Sequence, residues 1–310
     1  MDAVARQSQA SIEQGSRSFA SAARLFDRRT RDSVALLYAW CRHCDDVIDG
    51  QLLGFARAER DPTTPQQRLQ RLRTLTEAAY TDAVLEEPVF QAFARVVRRH
   101  AIDRRYPLDL LEGFRLDVDG AHYETLDDTL RYSYHVAGAV GVMMAQIMGV
   151  RDELTLDRAC DLGLAFQLTN IARDLAEDAA NGRCYIPAAW LQEEGVGREM
   201  LLSPAHAAAA SRLSARLVDA AEPYYESALI GIRRLPLRSA WAIAAARNVY
   251  RAIGSELVRR GERAALQRVT TSSGQKALLA ILGGLQAVSA TSWGRRRPEP
   301  ARVGLWTRPR

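Results

Sequence analysis

The sequence predicts an all-α protein that folds as a single domain, with helices surrounding a central cavity. The chain has 310 residues, of which 47% are hydrophobic and only 20 are glycine. Its apolar residues recur with the period of a helix rather than alternating as in a strand. Prolines and polar clusters divide these apolar stretches into roughly a dozen segments. A chain of this length can bury a large core, and no linker indicates a second domain.

The predicted helices follow one another along the chain, and their ends are set by prolines and polar clusters. Loops are expected at residues 50–65 and 180–187, each directly after a helix that carries acids, so mobile loops could close over a substrate there. The predicted helices cover residues 8–26, 30–49, 65–82, 88–101, 107–120, 127–148, 153–179, 187–194, 203–232, 237–262 and 273–292.

The prediction assigns residues 1–292 to the helical domain and residues 293–310 to a basic tail that we expect to be flexible. The net charge of +5 is accounted for by this tail, which holds six arginines, two tryptophans and one acid. The neutral body argues against nucleic-acid binding. The tail either contacts an anionic membrane surface or is simply solvated. With no secretory signal or convincing transmembrane helix, we expect a cytoplasmic protein that is at most peripheral at a membrane.

Two segments place polar side chains at helical spacing within otherwise apolar helices. In each segment four polar residues recur every three or four positions and so share one helix face. A helix buried nearly all round cannot leave acids against hydrocarbon, because isolated buried charges cost many kcal/mol. We therefore expect both polar faces to border a cavity that holds water or cations. The faces consist of Tyr38, Arg42, Asp45 and Asp49, and of Gln167, Asn170, Asp174 and Asp178.

These acids indicate a site for a metal ion and a phosphorylated substrate. Carboxylates four residues apart repel each other unless cations lie between them. Oxygen ligands without a histidine pattern favour a hard ion, Mg²⁺ first and Mn²⁺ as an alternative. Mg²⁺ is commonly shared between one or two carboxylates and a substrate phosphate. Arg42 and Arg173 lie close to the acids in sequence and can bind the remaining phosphate oxygens. The pattern predicts a diphosphate substrate, whereas a single such motif would more often be a solvated helix face.

The chain resembles the squalene/phytoene synthases, which join prenyl diphosphates head to head. The likeness extends from about Ser16 to Lys276, is strongest to bacterial phytoene synthases, and retains every acid of the metal site. His43-Cys44 replaces a more usual apolar pair. The motifs that carry the likeness are Gly15-Ser16-Arg17-Ser18-Phe19, Tyr38-x₃-Arg42-x₂-Asp45-Asp46-x₂-Asp49, Tyr132-x-Tyr134-x-Val136-Ala137-Gly138, Gln167-Leu168-Thr169-Asn170-Ile171-x-Arg173-Asp174-x₃-Asp178 and Gly182-Arg183-x-Tyr185-Ile186-Pro187.

The resemblance implies an all-α isoprenoid-synthase fold and a prenyltransferase of carotenoid biosynthesis. The implied reaction condenses two geranylgeranyl diphosphates to 15-cis-phytoene through a cyclopropyl (prephytoene) diphosphate, with release of diphosphate. The implied cofactor is Mg²⁺, and no NADPH is expected, since squalene synthases use NADPH for a final reduction that phytoene synthases omit. The implied partners are geranylgeranyl diphosphate, a membrane surface and other carotenoid-pathway enzymes. A dry apolar cavity would protect the carbocations of such a reaction from water.

The resemblance also implies roles for individual residues. The residues implied in catalysis are Asp45, Asp49, Asp174, Asp178, Arg42 and Tyr38. The residues implied in metal binding are Asp45, Asp49, Asn170, Asp174 and Asp178. The residues implied in substrate binding are Ser16, Arg17, Ser18, Tyr38, Arg42, Tyr134, Gln167, Arg173, Tyr185, Tyr250 and Arg268.

Three other functions remain open at this point. A squalene or dehydrosqualene synthase would use farnesyl diphosphate, and the sequence does not settle the chain length. A head-to-tail prenyl diphosphate synthase would fit Asp45-Asp46-x-x-Asp49, but such enzymes repeat that motif in their second site, and residues 173–178 do not. A catalytically inactive scaffold protein is expected to have lost the metal-site acids, and this chain retains them all.

Overall fold

The computed structural model describes residues 22–52, 56–57, 63–265, 269–292, 294 and 298–310. Within these ranges the chain is built from α-helices, a few single helical turns and one very small hairpin. The α-helices are α1 (Arg28–Asp49), α2 (Pro65–Ala78), α3 (Pro88–His100), α4 (Arg105–Val118), α5 (Leu126–Ser133), α6 (Ala139–Ile147), α7 (Glu153–Ala180), α8 (Ala188–Glu193), α9 (Ala207–Gly231), α10 (Leu237–Arg260) and α11 (Ser273–Ser292). The all-α class predicted from the sequence is confirmed.

The two helices that carry the acids have well-defined ends. The carboxylate of Asp27 accepts a hydrogen bond from the backbone N–H of Thr30 (3.0 Å) and caps the start of α1. Gly50 ends α1 in the left-handed conformation that favours glycine (φ +63°). Asp152 caps α7 in the same way as Asp27 caps α1, through the N–H of Thr155 (2.9 Å). The caps fix where α1 and α7 begin, and the candidate metal-site acids lie in the C-terminal turns of both helices.

Helix α7 is the centre of the fold. It packs against α6, α9 and α10, and α1 packs on the other side against α3 and α6. Trp40 of α1 is fully buried and stacks on Phe93 of α3, with ring centroids 4.1 Å apart. This packing holds α1 and α7 on either side of the interior. The prediction that both polar faces border one cavity requires this arrangement.

The predicted and observed helices agree closely, with three informative differences. The helix predicted at 127–148 is divided into α5, a π-helical turn (Tyr134–Gly138) and α6. A two-stranded antiparallel hairpin, β1 (Gln51–Leu52) and β2 (Ala56–Arg57), lies in the segment predicted as a loop. Two 3₁₀ turns (Arg198–Leu202 and Pro204–His206) precede α9, so α9 begins later than predicted. The predicted helix 8–26 falls largely outside the described residues.

The C-terminal segment, residues 298–310, packs against α7. Arg302 binds both carboxylate oxygens of Asp161 (2.7 and 2.8 Å). The side chain of Arg308 is buried and its Nε donates to Asp157 (2.8 Å). Helix α7 carries unmatched acids on this face, and the segment supplies their arginine partners. The segment is therefore part of the packed body of the protein.

None of the helices in the described parts of the chain is both long enough and apolar enough to cross a membrane.

Candidate active site

An apolar cavity of about 330 Å³ lies between α1, α6, α7, α9 and α10. Aliphatic side chains form most of its wall, and α7 borders it from Thr155 to Asn170. Fifteen residues of helix correspond to roughly 22 Å at 1.5 Å per residue, so the cavity is long rather than round. Polar groups gather at the end nearest the acids, where Tyr38, Gln167 and Asn170 contribute to the lining. This shape suits a long apolar molecule with a polar head.

Helix α1 supplies an arginine and carboxylates at the mouth of the cavity. The Nη1 of Arg42 lies 2.9 Å from Oδ2 of Asp45, and its Nη2 lies 3.1 Å from Oδ1 of Asp46. Burial raises the pKa of Asp45 to about 6, although the charge of Arg42 opposes that shift. Burial also raises the pKa of Tyr38 to about 12, so its hydroxyl remains a proton donor at neutral pH. This part of α1 thus presents positive, negative and neutral hydrogen-bonding groups together.

Helix α7 supplies the opposite side of the mouth. Within the described residues, Oδ1 of Asn170 is buried and has no hydrogen-bond partner, which leaves an amide oxygen available to a ligand. Arg173 forms a two-point ion pair with Asp174 (Nε–Oδ1 2.8 Å, Nη2–Oδ2 2.5 Å). The backbone of Asp174 leaves helical geometry (φ −104°, ψ 16°) and enters the bridge region where many active-site residues lie. From Asp174 onwards, α7 therefore departs from the ideal stripe predicted from the sequence.

The acids of α1 and α7 converge on Arg183, in the loop after α7. Its Nη2 lies 2.5 Å from Oδ1 of Asp49, the last residue of α1. Burial, and after it the neighbouring Asp174, raises the pKa of Asp178 to about 7 against the opposing charge of Arg183. Burial likewise raises the pKa of Asp117 on α4, and Arg183 again opposes it. One guanidinium thus lies among carboxylates from three separate elements.

Sequence reasoning assigned no role to Arg183 or Asp117. Arg183 belongs to the motif Gly182-Arg183-x-Tyr185-Ile186-Pro187. The motif does not indicate which residues Arg183 contacts. Asp117 stands between Leu116 and Val118, but Arg115 and Asp119 are also close in sequence, so Asp117 does not stand out from the other charged residues of this stretch. The two hydrophobic neighbours were the available clue, because an acid that is drawn partly out of water by such neighbours requires a partner.

The donor set fits a divalent cation that is shared with a diphosphate. Within the described residues, no three His, Cys, Asp or Glu side chains stand together as a ready-made metal cage. Mg²⁺ does not require one, since it is typically held by one or two carboxylates, water and substrate phosphates. Acid pairs on two helices, together with the buried amide oxygen of Asn170, match that preference.

Two of the predicted substrate-binding tyrosines lie elsewhere than on the apolar cavity. The hydroxyl of Tyr134 donates to Asp109, and its ring lies against Trp306 of the C-terminal segment (centroids 5.5 Å apart). The hydroxyl of Tyr185 donates to Oδ1 of Asp117 (2.9 Å), and Tyr185 borders a second, more polar opening of about 520 Å³ beside Arg183. Both tyrosines are buried, and their hydroxyls are directed to partly buried acids because buried polar groups need partners.

The other predicted site residues divide into those on the cavity and those that are not described. Tyr250 borders the cavity, where its ring stacks on Phe166 with centroids 4.2 Å apart. Gln167 also lines the cavity. The remaining predicted residues lie outside the described part of the chain: Ser16, Arg17, Ser18 and Arg268.

Glycines bring α6 and α7 unusually close together along the cavity wall. A Cβ atom on Gly141 of α6 would lie 2.4 Å from the carbonyl oxygen of Ala159. A Cβ atom on Gly163 of α7 would lie 2.4 Å from the carbonyl oxygen of Ala137 in the π-helical turn. No side chain fits at either position without separating the two backbones. Backbone spacing therefore sets the width of this part of the cavity.

The fold and the site define an all-α isoprenoid synthase, with an apolar cavity below a mouth of paired acids and arginines. The chain belongs to the squalene/phytoene synthase family, which matches residues 12–275. Both the predicted fold and the predicted family are confirmed.

Similar proteins cover nearly the whole chain. It is 55% identical over 296 residues to a 15-cis-phytoene synthase of Pantoea ananas, spanning 95% of this chain and 94% of that protein. It is 51% identical to a 15-cis-phytoene synthase of a Paracoccus strain, spanning 96% and 95% of the two chains. A crystal structure of a dehydrosqualene synthase in complex with ligand superposes with a TM-score of 0.80 at 28% identity, covering 92% of this chain and 97% of that one.

Proposed function

We propose that the protein is a phytoene synthase, a prenyltransferase of carotenoid biosynthesis that condenses two molecules of geranylgeranyl diphosphate head to head. The observation that carries this function is 55% identity to a 15-cis-phytoene synthase over 95% of the chain. The long apolar cavity with acids and arginines at one end supports a substrate made of a prenyl chain and a diphosphate.

The mouth of the cavity binds the diphosphate groups in this proposal. Arg42, Arg173 and Arg183 already lie against carboxylates there, so they can transfer hydrogen bonds to phosphate oxygens without large movements. The metal-holding groups are the acids of both helices and the amide of Asn170. The bound Mg²⁺ supplies charge neutralisation at the leaving diphosphate. These ligands are Asp45, Asp49, Asn170, Asp174 and Asp178.

The cavity protects the carbocation that forms when an allylic diphosphate leaves. Aliphatic walls exclude water, which would otherwise quench the cation. The stacked rings of Phe166 and Tyr250 lie on this wall and offer π-electron faces that attract positive charge. The first condensation gives the cyclopropyl diphosphate, and a second ionisation, rearrangement and proton loss give phytoene. Tyr38 holds its proton at neutral pH and can donate a hydrogen bond to the diphosphate during either ionisation.

Purified protein incubated with geranylgeranyl diphosphate and Mg²⁺, without NADPH, is expected to yield a C40 hydrocarbon. A chelator should stop its formation because, without the metal ion, the negative charge of the leaving diphosphate is not sufficiently neutralised. Gas chromatography with mass spectrometry identifies the product. Product formation that requires isopentenyl diphosphate would instead indicate chain elongation.

A second candidate function is supported by the dehydrosqualene synthase structure, whose fold this chain shares. Such an enzyme would join two farnesyl diphosphates instead. Incubation with farnesyl diphosphate, with and without NADPH, separates the two functions. A C30 product formed faster than any C40 product would overturn the phytoene synthase proposal.

Peripheral membrane contact is also proposed, through α11 rather than through Arg302 or Arg308. Arg302 and Arg308 pair with acids of α7, so neither is available to lipid headgroups. Helix α11 instead exposes large apolar side chains at intervals of one, three and four residues, and such residues share a face. An exposed apolar helix face of this kind can lie in a membrane interface. The side chains, each between 43% and 65% exposed, are Leu278, Ile281, Leu282, Leu285 and Val288.

Replacing both Ile281 and Leu285 by glutamate is expected to lower binding to vesicles containing phosphatidylglycerol by about tenfold or more. Burial of one large aliphatic side chain contributes about 1.5–3 kcal/mol, and two are lost. Co-sedimentation measures the bound fraction. Val84→Glu is the matched control, because Val84 is highly exposed in a loop away from α11. Equal vesicle binding by wild type and the double variant would contradict the proposal.

A further inference from the structure

A charged residue lies in the cavity wall towards the end away from the acids, one turn of α7 from Thr155. Arg158 lines the cavity twelve residues before Asn170 on α7, which corresponds to about 18 Å of helix. Its side chain is only 4% exposed, which is rare for an arginine. Gly231, which lies against Arg158, lines the cavity as well. Arg158 thus stands where the tail of a prenyl chain would end if its diphosphate lay at the acids.

The guanidinium of Arg158 is held by groups outside the cavity. Its Nε donates to Oε1 of Glu299 (2.8 Å), and its Nη2 donates to the carbonyl oxygen of Pro300 (2.6 Å). Its Nη1 donates to Oγ of Ser227 on α9 (3.0 Å). Because each nitrogen has a partner, the hydrocarbon stem of Arg158 is the part left to face the cavity.

The C-terminal segment that supplies Glu299 and Pro300 is itself anchored on α7. Arg302 binds Asp161, and Ser227 donates to the same carboxylate (2.5 Å). The network therefore joins the segment, α7 and α9 around one buried acid. A Cβ atom on Gly231 would lie 2.8 Å from Cβ of Arg158, so the stem has little room to move towards α9.

We propose that residues 298–310 set the longest prenyl chain that the cavity accepts, by holding the stem of Arg158 as part of the cavity floor. The choice of geranylgeranyl diphosphate as the reference substrate rests on the proposed function. A substrate longer by one isoprene unit has to displace Arg158, and that requires breaking a partly buried, hydrogen-bonded ion pair. The limit on chain length is therefore imposed by a segment remote in sequence from the metal-site acids.

Arg158→Ala tests the floor directly. The measured quantity is the ratio of kcat/KM for C25 geranylfarnesyl diphosphate to that for C20 geranylgeranyl diphosphate. We expect this ratio to rise about tenfold or more, since even one methylene group in an apolar pocket changes selectivity by about tenfold or more. In this variant Glu299 retains Arg234 as an ion-pair partner (3.4 Å), so the carboxylate of Glu299 is not left without a positive charge. An unchanged ratio in a variant with normal helix content would overturn the proposal.

Glu299→Ala tests whether the segment positions the floor. The stem remains but loses its ion pair, so the same ratio should rise by a smaller factor, while a purely structural defect would reduce both rates equally. Arg310→Ala is the matched control, because Arg310 binds acids at the start of α7 away from the floor. A ratio that changes in Arg158→Ala but not in Glu299→Ala would refute the positioning role.

These measurements remain informative if the proposed function fails. If the wild-type protein prefers farnesyl diphosphate, the C20 to C15 ratio replaces the C25 to C20 ratio. The floor is then tested by whether Arg158→Ala raises that ratio. Gly231→Ala supplies the opposite change, because the added methyl group displaces Arg158 into the cavity and should shift preference towards the shorter substrate. A shift towards the longer substrate in Gly231→Ala would count against the floor.

Discussion

Replacement of Asp45 or Asp174 by asparagine is expected to lower turnover by about 10²–10³-fold or more, with helix content unchanged. Each substitution keeps the shape of the side chain but removes a negative charge from the mouth of the cavity. Arg42 and Arg173 would remain, so diphosphate binding should weaken less than turnover falls. Steady-state kinetics with geranylgeranyl diphosphate measure turnover, and circular dichroism measures helix content.

Asp127→Asn is the matched control for both variants. Asp127 lies in the first turn of α5, its side chain is exposed, and its ion-pair partner Arg131 is exposed as well. The same chemical change there should leave kinetics within a factor of two or so, since exposed pairs contribute little. Full activity in Asp45→Asn or Asp174→Asn would exclude these acids from the metal site.

Arg302→Met is expected to lower the free energy of unfolding by about 3–5 kcal/mol. The substitution preserves much of the side-chain volume but leaves Asp161, which is fully buried, without its ion-pair partner. Removal of one partner from a buried pair is strongly destabilising because the remaining charge is uncompensated. Urea denaturation followed by circular dichroism measures the loss.

Two further variants separate this effect from a general weakening of the segment. Arg310→Met should change stability by less than about 1 kcal/mol, because the side chain of Arg310 is half exposed. Adding Asp161→Asn to Arg302→Met should restore part of the stability, because the buried charge is then removed. Equal losses of unfolding free energy in Arg302→Met and Arg310→Met would show that the buried pair of Arg302 and Asp161 stabilises the protein no more than an exposed pair does.

The sequence predicted the regular part of the fold well, because helical periodicity is a local property. Helix α11 has the predicted bounds of 273–292, and α7 ends one residue beyond its prediction. Tyr38, Gln167 and Asn170, which the spacing placed on one face of each helix, do border the cavity. The assignment of metal ligands among the acids stays a prediction that the asparagine variants address.

The remaining features depend on contacts between distant parts of the chain. Asp161 and Arg302 are separated by 141 positions, and the local sequence around either residue does not indicate that the two form an ion pair. The acids of α7 that face the segment look in sequence like an ordinary solvated stripe. The backbone change at Asp174 and the π-helical turn at Tyr134–Gly138 likewise arise within stretches whose periodicity favours a continuous helix.

The dependence of α7 on residues 298–310 has a consequence for the synthesis of the protein on the ribosome. A nascent chain that has emerged only as far as α11 contains α1 to α11, yet Asp157 and Asp161 still lack the arginines that neutralise them. Helix α7 can settle into its final environment only when the C-terminal segment arrives. Chains interrupted before residue 298 should therefore remain loosely packed and be preferred targets of cellular proteases, which would keep defective copies from sequestering the prenyl diphosphate pool.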